Sequence, residues 1–207
     1  MLRSLLSGQE LPSLSRRGAL GSFGLGALAL IASNTSASAG LFTSSTPSID
    51  LDGICPEWIA HQGSNLNGYI AYLQSIKLQR ITVRQIIEAH AKQHGSVWNC
   101  LPSREMWVQM SPTLKVIDRV ALELNQPVTE IVSAYRAPSY NALCPGAKSG
   151  SWHQVNVACD VRFPASPYQV TAVTRNLRSR GLFQGGVGSY SGFTHVDTRG
   201  QNEDWSG

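Results

Sequence analysis

The sequence predicts an α+β domain in which N-terminal helices pack on a small, mainly antiparallel sheet. Three observations lead there. From Asn65 to about Asn125 apolar side chains recur at three-to-four spacing. After Asn125 the chain breaks into short β-like runs, and the last two of these stand at hairpin-like spacing.

In the helical part, Leu66, Ile70 and Leu73 mark one buried helix face. Thr82 has the chemistry of an N-cap before VRQIIEAHAKQH, because its hydroxyl can accept from an otherwise unpaired backbone N–H. Ser111 followed by Pro112 reads as the opening of a helix through LKVIDRVALEL, since proline is tolerated at a first helical position. Two or three helices are thus expected first. The strand-like runs are VTEIVSAY, ACDVRF, QGGVGSY and FTHVDT, with one helix, PYQVTAVTRNLRSR, between the second and third. No internal repeat is visible.

With 207 residues, 42% hydrophobic and 14% charged, the chain can bury the core of one domain. Its first 39 residues have a different composition. They carry the pair Arg16 and Arg17, a weakly apolar stretch from Gly18 to Ala32, and small residues at Ala37, Ser38 and Ala39. This is the pattern of a twin-arginine export signal cleaved after Ala39. The apolar run of roughly 15 residues is short of the ~20 that a membrane anchor needs. A linker over 40–50, rich in Ser and Thr, and a single domain over 51–207 follow, in a periplasmic or otherwise exported protein.

Arg3, Arg16, Arg17 and Glu10 fall in the signal, so about half of the formal net charge of +4 leaves with it. The remaining charge is small and dispersed, which excludes nucleic acid as a partner and suits an anionic wall polymer. Cys55, Cys100, Cys144 and Cys159 form an even set in an oxidising destination, so one or two disulfides are expected, with the pairing open. No CxxC pair is present to make a structural zinc site of them.

Three residues near the C-terminal end carry the chemistry. SWHQVNVACD and GGVGSYSGFTHVDTRG offer His153, Asp160 and His195. Two imidazoles and a carboxylate make a catalytic zinc set that leaves a fourth position for water. Asp160 is expected on the second strand, His195 on the last, and His153 in the loop before the second. Neighbouring strands bring sequence-distant residues side by side, and alternation turns Val161 and Cys159 away from Asp160.

Other readings of the histidines and hydroxyls are weaker. His90 and His94 stand one helical turn apart but have no third ligand. The HVD run could belong to a two-His, one-carboxylate iron site, but no histidine follows Asp197. Ser151 lacks a GxSxG context and is expected to orient the His153 loop rather than act as a nucleophile.

The motifs SxHxxxxAxD, GGVGxYxxxxHVDTRG and SAYRAPSYN, in the order seen here over about 128–205, resemble the D-Ala-D-Ala carboxypeptidase and murein endopeptidase family of zinc peptidases, and most of all its exported, twin-arginine-signalled branch. The helical part resembles it only in general style. The resemblance implies a Zn2+ cofactor held by His153, Asp160 and His195, peptidoglycan as partner, and a monomer that cleaves stem peptides or their cross-links. It further implies that Arg136 faces the cleft and holds a substrate carbonyl or carboxylate, a task suited to a permanently charged donor fork. Tyr190 and Ser151 are expected beside the substrate.

One departure stands out. Relatives carry a His two residues before the last ligand, or an acidic residue three before it, as proton carrier, and here Phe193 and Gly192 occupy those positions. Asp197 is the substitute candidate, either as base or as support for a ligand. The same departure raises the alternative of a catalytically idle peptidoglycan-binding module that retains the zinc site. Which wall bond is cut stays open, because pocket shape rather than metal chemistry selects it.

Overall fold

A computed structural model describes residues 48–207. The expected export signal over 1–39 and most of the expected linker over 40–50 lie outside the described residues. Four helices come first: α1 (Pro56–Gln62), α2 (Ser64–Ile76), α3 (Val83–His90) and α4 (Trp107–Leu124), with a two-stranded ladder of β1 (Gln93–His94) and β2 (Val97–Trp98) before the last of them. The rest alternates: β3 (Glu130–Ser133), α5 (Pro138–Asn141), β4 (Ala158–Arg162), α6 (Pro167–Ser179), β5 (Gly186–Ser189), β6 (Thr194–Asp197) and β7 (Glu203–Ser206). The fold is α+β, as the sequence predicts. Among the described residues no helix is long and apolar enough to cross a membrane.

Local chemistry explains several boundaries. Thr82 caps α3 through a reciprocal capping box with Gln85, and Ser166 caps α6 in the same way with Gln169, with Pro167 in the first turn. At the other ends, Lys77 and Asn125 close α2 and α4 in the left-handed conformation.

Helix α4, however, starts at Trp107, one turn before the expected Ser111–Pro112 opening. Trp107 packs on Tyr69 and Tyr72, and its indole N–H donates to the Pro102 carbonyl at 3.1 Å. That tertiary anchoring extends the helix ahead of Pro112. The missing proline N–H is inexpensive there because Val108, whose carbonyl it would have served, is 64% exposed and open to water. Helix α3 is shorter than expected: it ends at His90, and Gly95, with φ of 57°, turns the chain into the β1–β2 hairpin.

The main sheet has the order β3-β4-β6-β5-β7, antiparallel except for the parallel pair β5–β7. Its apolar face carries Cys159, Val161, Val187 and Val196, which share one core with Met110, Leu114 and Ile117 of α4 and with Val170 and Leu177 of α6. The Cys159 thiol meets the Met110 sulfur at 3.4 Å within this core. All four cysteines are free, against the expectation of disulfides. For Cys159 the reason is plain, since it is sealed in the core facing a methionine. Alternation along β4 and β6 leaves Asp160 and His195 on the opposite face, in register with each other.

His90 is fully buried beneath Tyr69, whose hydroxyl lies 3.3 Å from Nε2. Burial pushes the pKa of this imidazole down to about 3 from 6.5. Between those values the unfolded chain binds a proton that the native chain does not, so stability is full above pH 6.5 and is lost as the pH falls. The expected slope is about 1.4 kcal/mol per pH unit below 6.5. Urea melts between pH 6.5 and 4 should give a slope flatter by about this amount in His90→Gln than in the wild type.

Candidate metal centre

Asp160 and His195 face each other across the β4–β6 ladder. His153 reaches them from a short 3-10 turn, Trp152–Val155, that crosses in front of the strands. Ser151 caps this turn by accepting from the His153 N–H at 3.4 Å, and Asn156 ends it with φ of 58° while its side-chain amide donates to the Met106 carbonyl. Sequence spacing thus converges because a capped turn and a strand register aim the three side chains at one point.

The donor atoms are close. His153 Nε2 lies 3.3 Å from His195 Nδ1 and 3.3 Å from Asp160 Oδ1, and His195 Nδ1 lies 2.8 Å from the same oxygen. Each donor is also held from behind. His153 Nδ1 faces the Ala134 carbonyl at 2.7 Å, an acceptor only, so the proton sits on Nδ1 and the Nε2 lone pair points inward. His195 Nε2 faces Asp197 Oδ2 at 3.0 Å, which favours the proton there and frees Nδ1. Asp160 gives its other oxygen to Arg136 Nη2 at 2.6 Å. Three donor atoms of the types zinc prefers therefore converge, each with its outer atom fixed, which fits a zinc ion.

The electrostatics agree for His153 and Asp160. Burial favours a neutral His153 and lowers its pKa, against the pull of Asp160. Burial by itself would raise the Asp160 pKa, but His153 and His195 outweigh it and hold the carboxyl well below the usual range. His195 differs: burial opposes its charge, but the hydrogen bonds that it donates to Asp160 and Asp197 outweigh burial and raise its pKa, so a zinc ion would take the place of the proton on Nδ1.

The three donors lie in the wall of a cavity of about 550 Å³. Arg136 shares that wall, as expected. Its Nε donates to Ser133 Oγ at 2.7 Å and its Nη2 to Asp160, which leaves Nη1 as the nitrogen that neither contact uses. Ser151 and Tyr190 also line it. The Tyr190 hydroxyl accepts from the Trp205 indole at 2.9 Å, and its ring stacks on Phe193 with centroids 4.5 Å apart. Phe193 thus contributes an apolar ring to the cavity wall.

Asp197 lies elsewhere. It is fully buried, outside the cavity wall, and accepts from His195, from the Gly186 N–H at 2.9 Å and from Arg199. Of its two expected roles, this position supports holding His195 and gives it no path to substrate as a base. The His90–His94 pair does not form: His90 is buried, and His94 stacks on Tyr140 beyond the end of α3.

Sequence reasoning missed Trp152, Trp205, Arg199 and Glu203, all in the cavity wall. A signal existed in GGVGSY. Gly186 and Gly188 fall on the same face of β5 as the paired His195, and a Cβ on Gly188 would lie 2.4 Å from the Trp205 ring. The bare strand lets Trp205 lie across β5 to within 5.1 Å of the His195 ring centroid.

A family model described as Peptidase M15 matches residues 79–197. The match reaches back into the helical part, further than the motifs extend, and stops before Arg199 and β7. No curated protein and no solved structure matches the chain. With a cluster that can hold zinc in the matched segment, and the match covering more than half of its length, the chain belongs to the peptidase M15 family of zinc-dependent peptidases.

Proposed function

We propose that the protein is exported through the twin-arginine pathway, loses its first 39 residues, and hydrolyses peptide bonds of peptidoglycan stem peptides or cross-links in the periplasm as a monomer. The observation that carries this reading is the inward convergence of His153 Nε2, Asp160 Oδ1 and His195 Nδ1 in the wall of that cavity. Lys148 and Arg136 in that wall favour a carboxylate-bearing peptide, as stem peptides are.

His153, Asp160 and His195 would hold the zinc ion, which when bound activates a water nucleophile and polarises the carbonyl. The chain's own groups do the rest. Ala134 and Asp197 keep the two imidazole protons on the outer nitrogens. Arg136, tied to Asp160, offers a fixed cation to the oxygen on which negative charge develops. Tyr190 and Ser151 line the path of the peptide. Phe193, stacked on Tyr190, supports a second reading, an idle wall-binding module.

Zymography on purified sacculi separates the two. Lysis by the native protein, lost on chelation and in His153→Ala, is the expected result. Lysis that survives both would contradict the zinc-peptidase reading, and zinc binding without lysis would favour the module. Mass spectrometry of the released muropeptides then identifies the bond.

A further inference from the structure

We propose that Arg199 is a positioning residue that locks the His153 turn and the His195 strand into the donor arrangement, a role that rests on the zinc-peptidase reading above. Its guanidinium grips Asp197 as a fork: Nε donates to Oδ1 at 2.8 Å and Nη2 to Oδ2, while its backbone N–H adds a third bond to Oδ1 at 3.1 Å. Two parallel bonds fix the plane of a carboxylate as a single charge does not. That plane sets the approach of Asp197 Oδ2 to His195 Nε2, and hence where Nδ1 points.

The same guanidinium serves the other histidine. Its carbon lies 5.0 Å from the ring centroid of Trp152, the residue before His153, and 5.2 Å from that of Trp205. Its remaining nitrogen, Nη1, pairs with Glu203 on β7. One side chain, 12% exposed, therefore ties together β6, the 3-10 turn and β7. Gly186 makes room for it, since a Cβ there would stand 2.8 Å from Arg199 Nη2 and 2.5 Å from Asp197 Oδ2. With the fork spent on Asp197 and the tip on Glu203, Arg199 is placed to organise the site rather than to grip substrate. It also lies beyond the segment matched by the family model, so the clamp is read from this chain's own contacts.

The test is zinc affinity, by competition with a chromophoric chelator, in the wild type, Arg199→Met and Arg199→Lys. The visible spectrum of the cobalt(II) form and the melting temperature of the metal-free protein accompany it. Arg199→Met should bind zinc about 10- to 100-fold more weakly and change the cobalt spectrum, and the metal-free melting temperature should fall by roughly 6–20 °C because the buried Asp197 loses its partner. Arg199→Lys, with the charge but not the fork, should fall in between. Arg199→Met binding zinc within about twofold of wild type, with an unchanged cobalt spectrum, overturns the proposal and leaves the zinc-peptidase reading standing. A wild type that binds no zinc overturns both. Should Arg199→Met fail to fold, Arg199→Lys and Trp152→Ala decide: weaker zinc binding in both supports the clamp, and wild-type affinity in both contradicts it.

Discussion

Asp160→Asn is expected to lose zinc and to lower peptide hydrolysis by ~10³ or more, because a Lewis acid of this kind contributes several kcal/mol and each 1.36 kcal/mol is tenfold in rate. The asparagine keeps the volume, but its amide is neutral and turns either a weak carbonyl or an N–H₂ group toward the other donors. Asp160→Ala should add a stability defect. Asp160 is 2% exposed and joins Arg136, His153 and His195, so its removal leaves buried partners uncompensated, at about 3–5 kcal/mol. Metal analysis, sacculus hydrolysis and thermal melts on the two variants separate the ligand role from the structural one. A fully zinc-loaded, active Asp160→Asn would show that the donor set is wrong.

Gly185→Ala is expected to be the second large effect, and it acts through the backbone. A Cβ at this position would lie 1.7 Å from the Asp197 carbonyl oxygen and 2.7 Å from its carbon, so strand and turn must part. Gly185 also accepts from Arg178 at 2.8 Å and from the Glu203 N–H at 3.3 Å, which places it where β5, β6, β7 and α6 meet. Overpacking against backbone should cost about 3 kcal/mol or more, which for a domain of this size lowers the melting temperature by roughly 6–12 °C. Zinc affinity should fall with it, since Asp197 moves. Gly192→Ala is the control: its nearest neighbour would be Arg162 at 3.9 Å, and its melting temperature should match wild type. Equal melting temperatures for the two variants would contradict this account of the β5–β6 contact.

What was legible in the sequence was what depends on near neighbours. The Thr82 cap of α3 is local hydrogen-bond chemistry, complete within four residues. That Asp160 and Cys159 face opposite sides of β4 followed from strand alternation, whereas the register of Asp160 with His195 is a long-range pairing. The start of α4 was hidden because Trp107 earns its place in the helix only by packing on Tyr69 and Tyr72, which are distant in sequence. β7 was hidden because EDWS shows no alternation and is mostly exposed, and its parallel pairing with β5 is set by the turn that carries Arg199. Arg199 itself could be read as a residue following HVDT, but not as a side chain folding back between two tryptophans.

Anomalous diffraction at the zinc edge, on crystals of the full chain grown with zinc, locates the ion against these donors. One strong peak is expected within bonding distance of His153 Nε2, Asp160 and His195 Nδ1, with Asp197 still on His195 Nε2. A peak at other side chains, or zinc bound through His195 Nε2, would contradict this donor set.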